Sequence, residues 1–252
     1  MKKLLLFAAI SLAMVGCRNE QLDITVDEGG IAIAAAANGE VATKAGEGGV
    51  TITTPDLADF SLKITGTNFE RSWDSLNNYN SDDERYTAGW YTVAIECGDI
   101  NEEGFNKPYF NATQQVQVLD RNRTTEVQLT ATVGNAIVAI QTTENFRNYF
   151  PSYSFKLTTA TNTFDLEENS AEHLFIAPQK KVAIDCTCIR QSNMETQTTE
   201  TLPTQYIQTV NAKTRYVVTY DLKSAGGVEI TVSLDNTIIG TIVVNVELNE
   251  NA

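Results

Sequence analysis

Gly89-Trp-Tyr-Thr-Val-Ala-Ile-Glu-Cys97 decides the fold class. Tyr91, Val93, Ile95 and Cys97 alternate with Thr92, Ala94 and Glu96. Successive side chains of an extended chain point to opposite faces, so this stretch reads as a half-buried strand with one face to water. The same period of two spreads outward from it. Upstream, Phe60, Leu62 and Ile64 alternate with Ser61, Lys63 and Thr65. Downstream, Val116 and Val118 make a further strand, and Val127, Leu129, Ala131 and Val133 alternate with Glu126, Gln128, Thr130 and Thr132. Past Gly134 the sets are Tyr153, Phe155 and Leu157; Val182, Ile184, Cys186 and Cys188; and Tyr216, Val218 and Tyr220. Val228 to Leu234 and Ile242 to Leu248 close the chain. Asp120-Arg-Asn122, Gly226-Gly227 and Asp235-Asn236 supply turn chemistry. Many short strands between polar turns predict an all-β protein of two antiparallel β-sandwich domains. The Thr-rich stretch from Gln191 to Thr204 lacks an apolar face and reads as an exposed loop or hairpin tip.

The first residues predict where the protein goes. Met1-Lys2-Lys3, an apolar run from Leu4 to Val15 broken by Ser11, and Gly16 describe a secretory signal. The run is shorter than the ~20 residues a membrane span needs. Cys17 after Gly16 resembles the lipobox of bacterial lipoproteins, with Met14 where Leu is commonest; the alternative is an ordinary signal with an incidental Cys. That resemblance implies a lipid-bearing Cys17 and a membrane-held protein, because each buried methylene of an acyl chain contributes about 0.8 kcal/mol. The expected organisation is signal peptide 1–16, acylated Cys and flexible tether 17–49, and sandwiches over 50–133 and 134–252. Ile31 to Gly39 and Ala45 to Gly49 lack a periodic apolar face, which gives the tether, with room for a short strand at Asp23 to Val26 or at Ile31 to Ala35.

The chain holds 18 Lys and Arg against 32 Asp and Glu, a net charge of −14. Removing residues 1–16 takes away Lys2 and Lys3 and no acid, which makes it −16. So acidic a protein is repelled by phosphate backbones, and nucleic acid is excluded as a partner.

Nothing converges as a catalytic set. His173 is the only histidine, and it reads as the opening of a strand at Leu174. Cys186 and Cys188 share one strand face with Val182 and Ile184, and Cys97 faces inward elsewhere. They read as buried thiols acting as small hydrophobes, with a bridge in an oxidising compartment as the alternative. Asp99, Asn101 and Glu103 before Gly104 approach a calcium loop, but Phe110 stands where its closing Glu belongs. The expectation is a non-enzymatic protein with no metal and no cofactor. Trp73, Tyr79, Tyr86 and Trp90 fall within eighteen positions. Either they pin a loop over the sandwich or they form a glycan-stacking surface.

Gly89-Trp-Tyr-Thr-Val93, Glu103-Gly-Phe105, Pro108-Tyr-Phe110, Val127-Gln-Leu129, Gly134-Asn-Ala136, Phe150-Pro-Ser-Tyr153 and Tyr216-Val-Val-Thr-Tyr220 together resemble an uncharacterised family of Bacteroidetes surface lipoproteins. That family is similar to the fimbrillins, pilus subunits built from two transthyretin-like β-sandwiches. The resemblance implies a surface adhesion or fimbria-like subunit or anchor on the outer membrane, assembling by strand addition with other fimbrial subunits. A surface glycan-binding module is the alternative. Fimbrillin precursors are cut after a basic residue near the N-terminus, which implies processing at Lys44, and the last strand, Ile242 to Leu248, is the expected donor. Asp74-Ser75-Leu76 resembles the O-glycosylation pattern of exported proteins of these bacteria, which implies a modifiable Ser75.

Overall fold

The computed structural model describes residues 27–43, 49–119, 123–224, 228–234 and 237–244. The signal segment, Cys17, Lys44 and the end of the expected donor strand lie outside the described residues. Three strands come first: β1 (Glu28–Asn38), β2 (Glu40–Thr43) and β3 (Val50–Thr51). Then come β4 (Ser61–Gly66), β5 (Phe69–Trp73), β6 (Tyr86–Thr87), β7 (Gly89–Cys97), β8 (Gly104–Phe105), β9 (Phe110–Val118) and β10 (Thr124–Val133). The second half supplies β11 (Ala136–Thr142), the one-and-a-half-turn helix α1 (Glu144–Tyr149), β12 (Ser152–Thr158), β13 (Thr163–Leu166) and β14 (Leu174–Ile176). It ends with β15 (Val182–Ile189), β16 (Thr199–Ile207), β17 (Thr214–Ser224), β18 (Val228–Leu234) and β19 (Thr237–Val244).

The expected all-β class holds. The first sheet runs β5-β4-β7-β9-β10-β1-β6. Its β9 and β10 pair only at Phe110–Val133 and Asn111–Thr132. Freed beyond that corner, the two halves fold over one core, where Leu62, Ile64, Val93, Ile95 and Val116 meet Ile31, Val127, Leu129 and Ala131. The second core lies between β19-β18-β17-β11-β14-β8 and the four-stranded sheet β13-β12-β15-β16. There Val138, Ile140, Tyr216, Val218 and Tyr220 pack on Phe155, Leu157, Ile184, Cys186 and Leu202.

Most pairings are antiparallel, but β1 runs parallel to β10, and β17 runs parallel to both β11 and β2. Each partner is far away in sequence, as the crossover of a parallel pair requires. The flexible tether is corrected over 28–43, which is sheet. β1 pairs with β10 from Gly30–Thr124 to Asn38–Thr132. Ile31 is fully buried while Ala34, Ala36 and Asn38 face out. Alanine is small and favours helices, so the strand comes from its partner rather than from propensity. At Gly39 the chain leaves this sheet for the next, and β2 pairs with β17 and β3. A Cβ on Gly39 would sit 1.8 Å from the Ile52 carbonyl oxygen, so no other residue fits without moving the backbone. The expected loop over 191–204 also shortens, because its end is β16, with Leu202 turned inward.

β11 lies between the two cores. Ile137 and Phe175 of β14 face the first, while Ala136, Val138, Leu174 and Ile176 face the second. Burial on both faces erases the alternation and leaves a continuous apolar run.

Candidate functional site

The four aromatics, read either as pins of a loop or as one stacking surface, divide into two groups. Tyr86 is fully buried, edge-on to Phe69 at 5.5 Å and to Tyr91 at 5.3 Å. Tyr79 is half-buried, edge-on to Trp73 at 5.0 Å, and its hydroxyl donates to the Ile31 carbonyl at 2.6 Å. The Tyr86 hydroxyl donates to that of Tyr79 at 3.4 Å. Burial raises both phenols above their usual range. Arg71 lies over Trp73, 5.4 Å from its ring centre, and binds Glu84 at 2.5 Å. These three rings pin the 74–88 excursion against β1, which is the loop-pinning alternative of the sequence. Trp90 is elsewhere, 61 % exposed on the outer face of β7. The shared stacking surface is therefore not assembled.

The Ser75 hydroxyl donates to the Ala58 carbonyl at 2.7 Å and accepts from the Asn77 N–H, capping a short 3₁₀ turn. His173 opens β14, where its carbonyl accepts from Asn106 N–H at 3.0 Å. Burial and Arg215 lower its imidazole. Cys186 and Cys188 are buried free thiols, and Cys97 is a half-buried one. The hydrogen bond with Cys188, reinforced by burial, holds the Cys186 thiol far above its usual range. A thiol in that state is a poor nucleophile. Asp99 closes an Asx turn by accepting from Asn101 N–H at 2.8 Å.

The third acid of that stretch has another role. Glu103 leaves the loop after β7 and enters the second sandwich with a fully buried side chain. One carboxylate oxygen accepts from Thr159 at 2.7 Å, Asn162 at 3.0 Å and Thr161 at 3.3 Å. The other accepts from Lys180 at 3.0 Å and the Ala177 N–H at 3.3 Å. Burial alone would raise this carboxyl, but the bonds from Asn162, Thr159 and Lys180 outweigh it and hold the group below the ordinary range. Beside it, β8 pairs with β14 through Phe105–Leu174 and Gly104–Phe175. Asn135 completes the junction, its side-chain oxygen accepting from Tyr109 N–H at 2.5 Å and its carbonyl from Lys213 N–H at 2.9 Å. The partners of Glu103 stand 56 or more positions away, and no local pattern announces them.

The long strand-bearing span is matched by solved structures at low identity. One is a fimbrial assembly protein from Parabacteroides distasonis, 8% identical with a TM-score of 0.44, covering 86% of this chain and 100% of that one. Another is the fimbrial anchor protein Mfa2 from Porphyromonas gingivalis, 8% identical with a TM-score of 0.36, covering 85% and 100%. No curated protein is similar in sequence to this chain. Residues 22–250 match one family throughout, as the quoted motifs led us to expect of an uncharacterised family, and the chain belongs to it: Domain of unknown function (DUF4493).

Proposed function

We propose that the protein is a non-enzymatic surface adhesion or fimbria-like subunit or anchor, brought to the outer membrane by a lipid on Cys17 and assembled by strand addition. The sandwiches then divide near Gly134, as 50–133 and 134–252, with the 28–43 strands shared between them. One observation carries the reading. In the segment before Lys44, β1 is a strand of the first sheet, bonded to β10 along one edge and capped on the other only at Glu28 and Gly29 by β6. Beyond those two residues nearly the whole of β1 has one side of its backbone without a strand partner among the described residues. Unpaired strand edges are templates for another strand. A cut after Lys44 would leave β1 and β2 held without a covalent link, and their loss would open the β10 edge and the site of Ile31 to an incoming strand.

Limited trypsin digestion of the mature protein, with N-terminal sequencing and size-exclusion chromatography, tests this. The expected outcome is a cut after Lys44, retention of the released segment by the folded body, and oligomers once it is displaced. A protein that is not cut there, and stays monomeric after digestion, sinks the reading. Ser75 is retained as a proposed modification site; mass spectrometry of the exported protein, with and without Ser75→Ala, decides it.

A further inference from the structure

The outer face of β7 and β9 has a composition unlike the rest of this acidic chain. Register places Trp90 opposite Gln117, Thr92 opposite Gln115, Ala94 opposite Thr113 and Glu96 opposite Asn111. The β9 row is thus Asn111, Thr113, Gln115 and Gln117, amides and hydroxyls without a charge, and Gln115 and Gln117 are exposed. Six residues of strand span about 20 Å. At one end stand Trp90 and Leu119, each 61 % exposed. At the other the row enters an open cleft of about 650 Å³, lined by the polar Asn111, Thr113, Gln128 and Thr130 together with the apolar Leu129 and Pro178. Among the described residues, Lys213 is the only charged one that lines it. The splay of β9 from β10 makes the cleft, and Tyr109 and Gly134 hold its inner end. A Cβ on Gly134 would lie 2.6 Å from the Tyr109 ring and 3.0 Å from Asn111 Oδ1. Of the neighbouring charges, Lys63, one strand beyond Ala94, binds Glu70 at 3.0 Å, and Glu96 stands close enough to the Tyr109 phenol, already raised by burial, to raise it further.

We infer that this face is a binding track for an extended, uncharged oligosaccharide, with Trp90 stacking on one sugar ring and the β9 amides and hydroxyls reading the hydroxyl groups along it. Each feature has a chemical counterpart in such a ligand. A pyranose ring offers an apolar face of C–H groups to an indole, and its hydroxyls both donate and accept, as Gln, Asn and Thr do. A polyanion would meet no cationic row among the described residues here and the repulsion of a strongly acidic protein. A second copy of the chain would need roughly 800 Å² on each partner, and two isolated apolar residues do not supply that. The track uses the outer faces of β7 and β9 and the β10 residues that pair with β1, but it requires no exchange of strands, so the inference does not depend on strand addition.

The test uses uncut mature protein and a panel of neutral gluco-, manno-, galacto- and xylo-oligosaccharides of four to six units, with oligogalacturonate as the charged control. Binding is followed by calorimetry and tryptophan emission. The chain has two tryptophans, so Trp90→Ala leaves Trp73 as a reporter of the intact fold. At least one neutral member is expected to bind and shift the emission. Trp90→Ala should weaken it at least about tenfold and abolish the shift, Gln115→Ala and Gln117→Ala each about three- to tenfold, and Trp90→Phe much less. Silence across the neutral panel overturns the inference, as does binding undiminished by Trp90→Ala or preference for oligogalacturonate. A concentration-dependent dimer that Trp90→Ala dissolves would make the face a self-interface and overturn it too. Failure here leaves the digestion experiment unaffected, so the two readings fall separately.

Discussion

Glu103 couples the two halves through a carboxylate that has lost its water and regained five hydrogen-bond donors. Replacing it with Ala strands Lys180, Thr159, Asn162 and the Ala177 N–H together. We expect a loss of about 2–4 kcal/mol, because the orphaned donors keep their desolvation cost. Urea titration at pH 7 measures it, and Glu103→Gln should lose less by keeping the shape. The folded pKa of Glu103 lies below the ordinary 4.5. Its contribution is therefore complete above about pH 5 and disappears as the pH falls through the folded value. Midpoints tracked from pH 7 to pH 3 should decline more steeply for the native protein than for Glu103→Gln. Parallel curves would refute the linkage. Gly39 is the other sharp position. Gly39→Ala drives a methyl into the Ile52 carbonyl, and we expect a melting temperature lowered by several degrees, of order 2 kcal/mol or more.

Among the elements, β1 is the one whose stability is borrowed. Its alanines contribute little burial, and Ile31 is its one large side chain fully in the core. Ile31→Ala should cost about 2–4 kcal/mol as a cavity in the first sandwich. It should also hasten release of the segment after cleavage at Lys44, which chromatography of nicked protein reads directly. Hydrogen exchange gives an independent check. In nicked Ile31→Ala, the β10 amides that face β1 should lose protection while those of β15 keep theirs. Equal loss in both would mean that β1 is no separable unit.

At the level of the whole molecule, the halves share structure rather than merely touching. β8 comes from the first half and completes a sheet of the second, β2 pairs with β17, and β11 and β14 are buried on both sides. A single cooperative thermal transition is expected, with calorimetric and van't Hoff enthalpies in agreement. Phe175→Ala together with Glu103→Ala removes an apolar and a polar part of the junction. The double variant should split the transition in two, and one transition persisting would locate the coupling elsewhere. Phe175→Ala alone should cost about 3–5 kcal/mol, as deletion of a buried aromatic does.

Local rules were enough for the parts of this protein that its amino-acid order determines unaided. Alternation is visible wherever one face of a strand meets water, so β4, β7, β10, β12, β15 and β17 were legible, and with them the all-β class and the turn chemistry between strands. The short strand after His173 was legible from its apolar run. Tertiary structure decided the rest. β1 reads as loose alanine until β10 supplies its hydrogen bonds, and β11 loses its alternation because both faces are dry. Glu103 looks like one acid of a solvated loop until residues 56 and more positions away surround it. Trp90 parts from Trp73, Tyr79 and Tyr86 because neighbours in sequence lie on opposite faces of a sheet, and only pairing says which face is closed. Local pattern reports whether a residue meets water; which distant groups replace that water is settled by the fold.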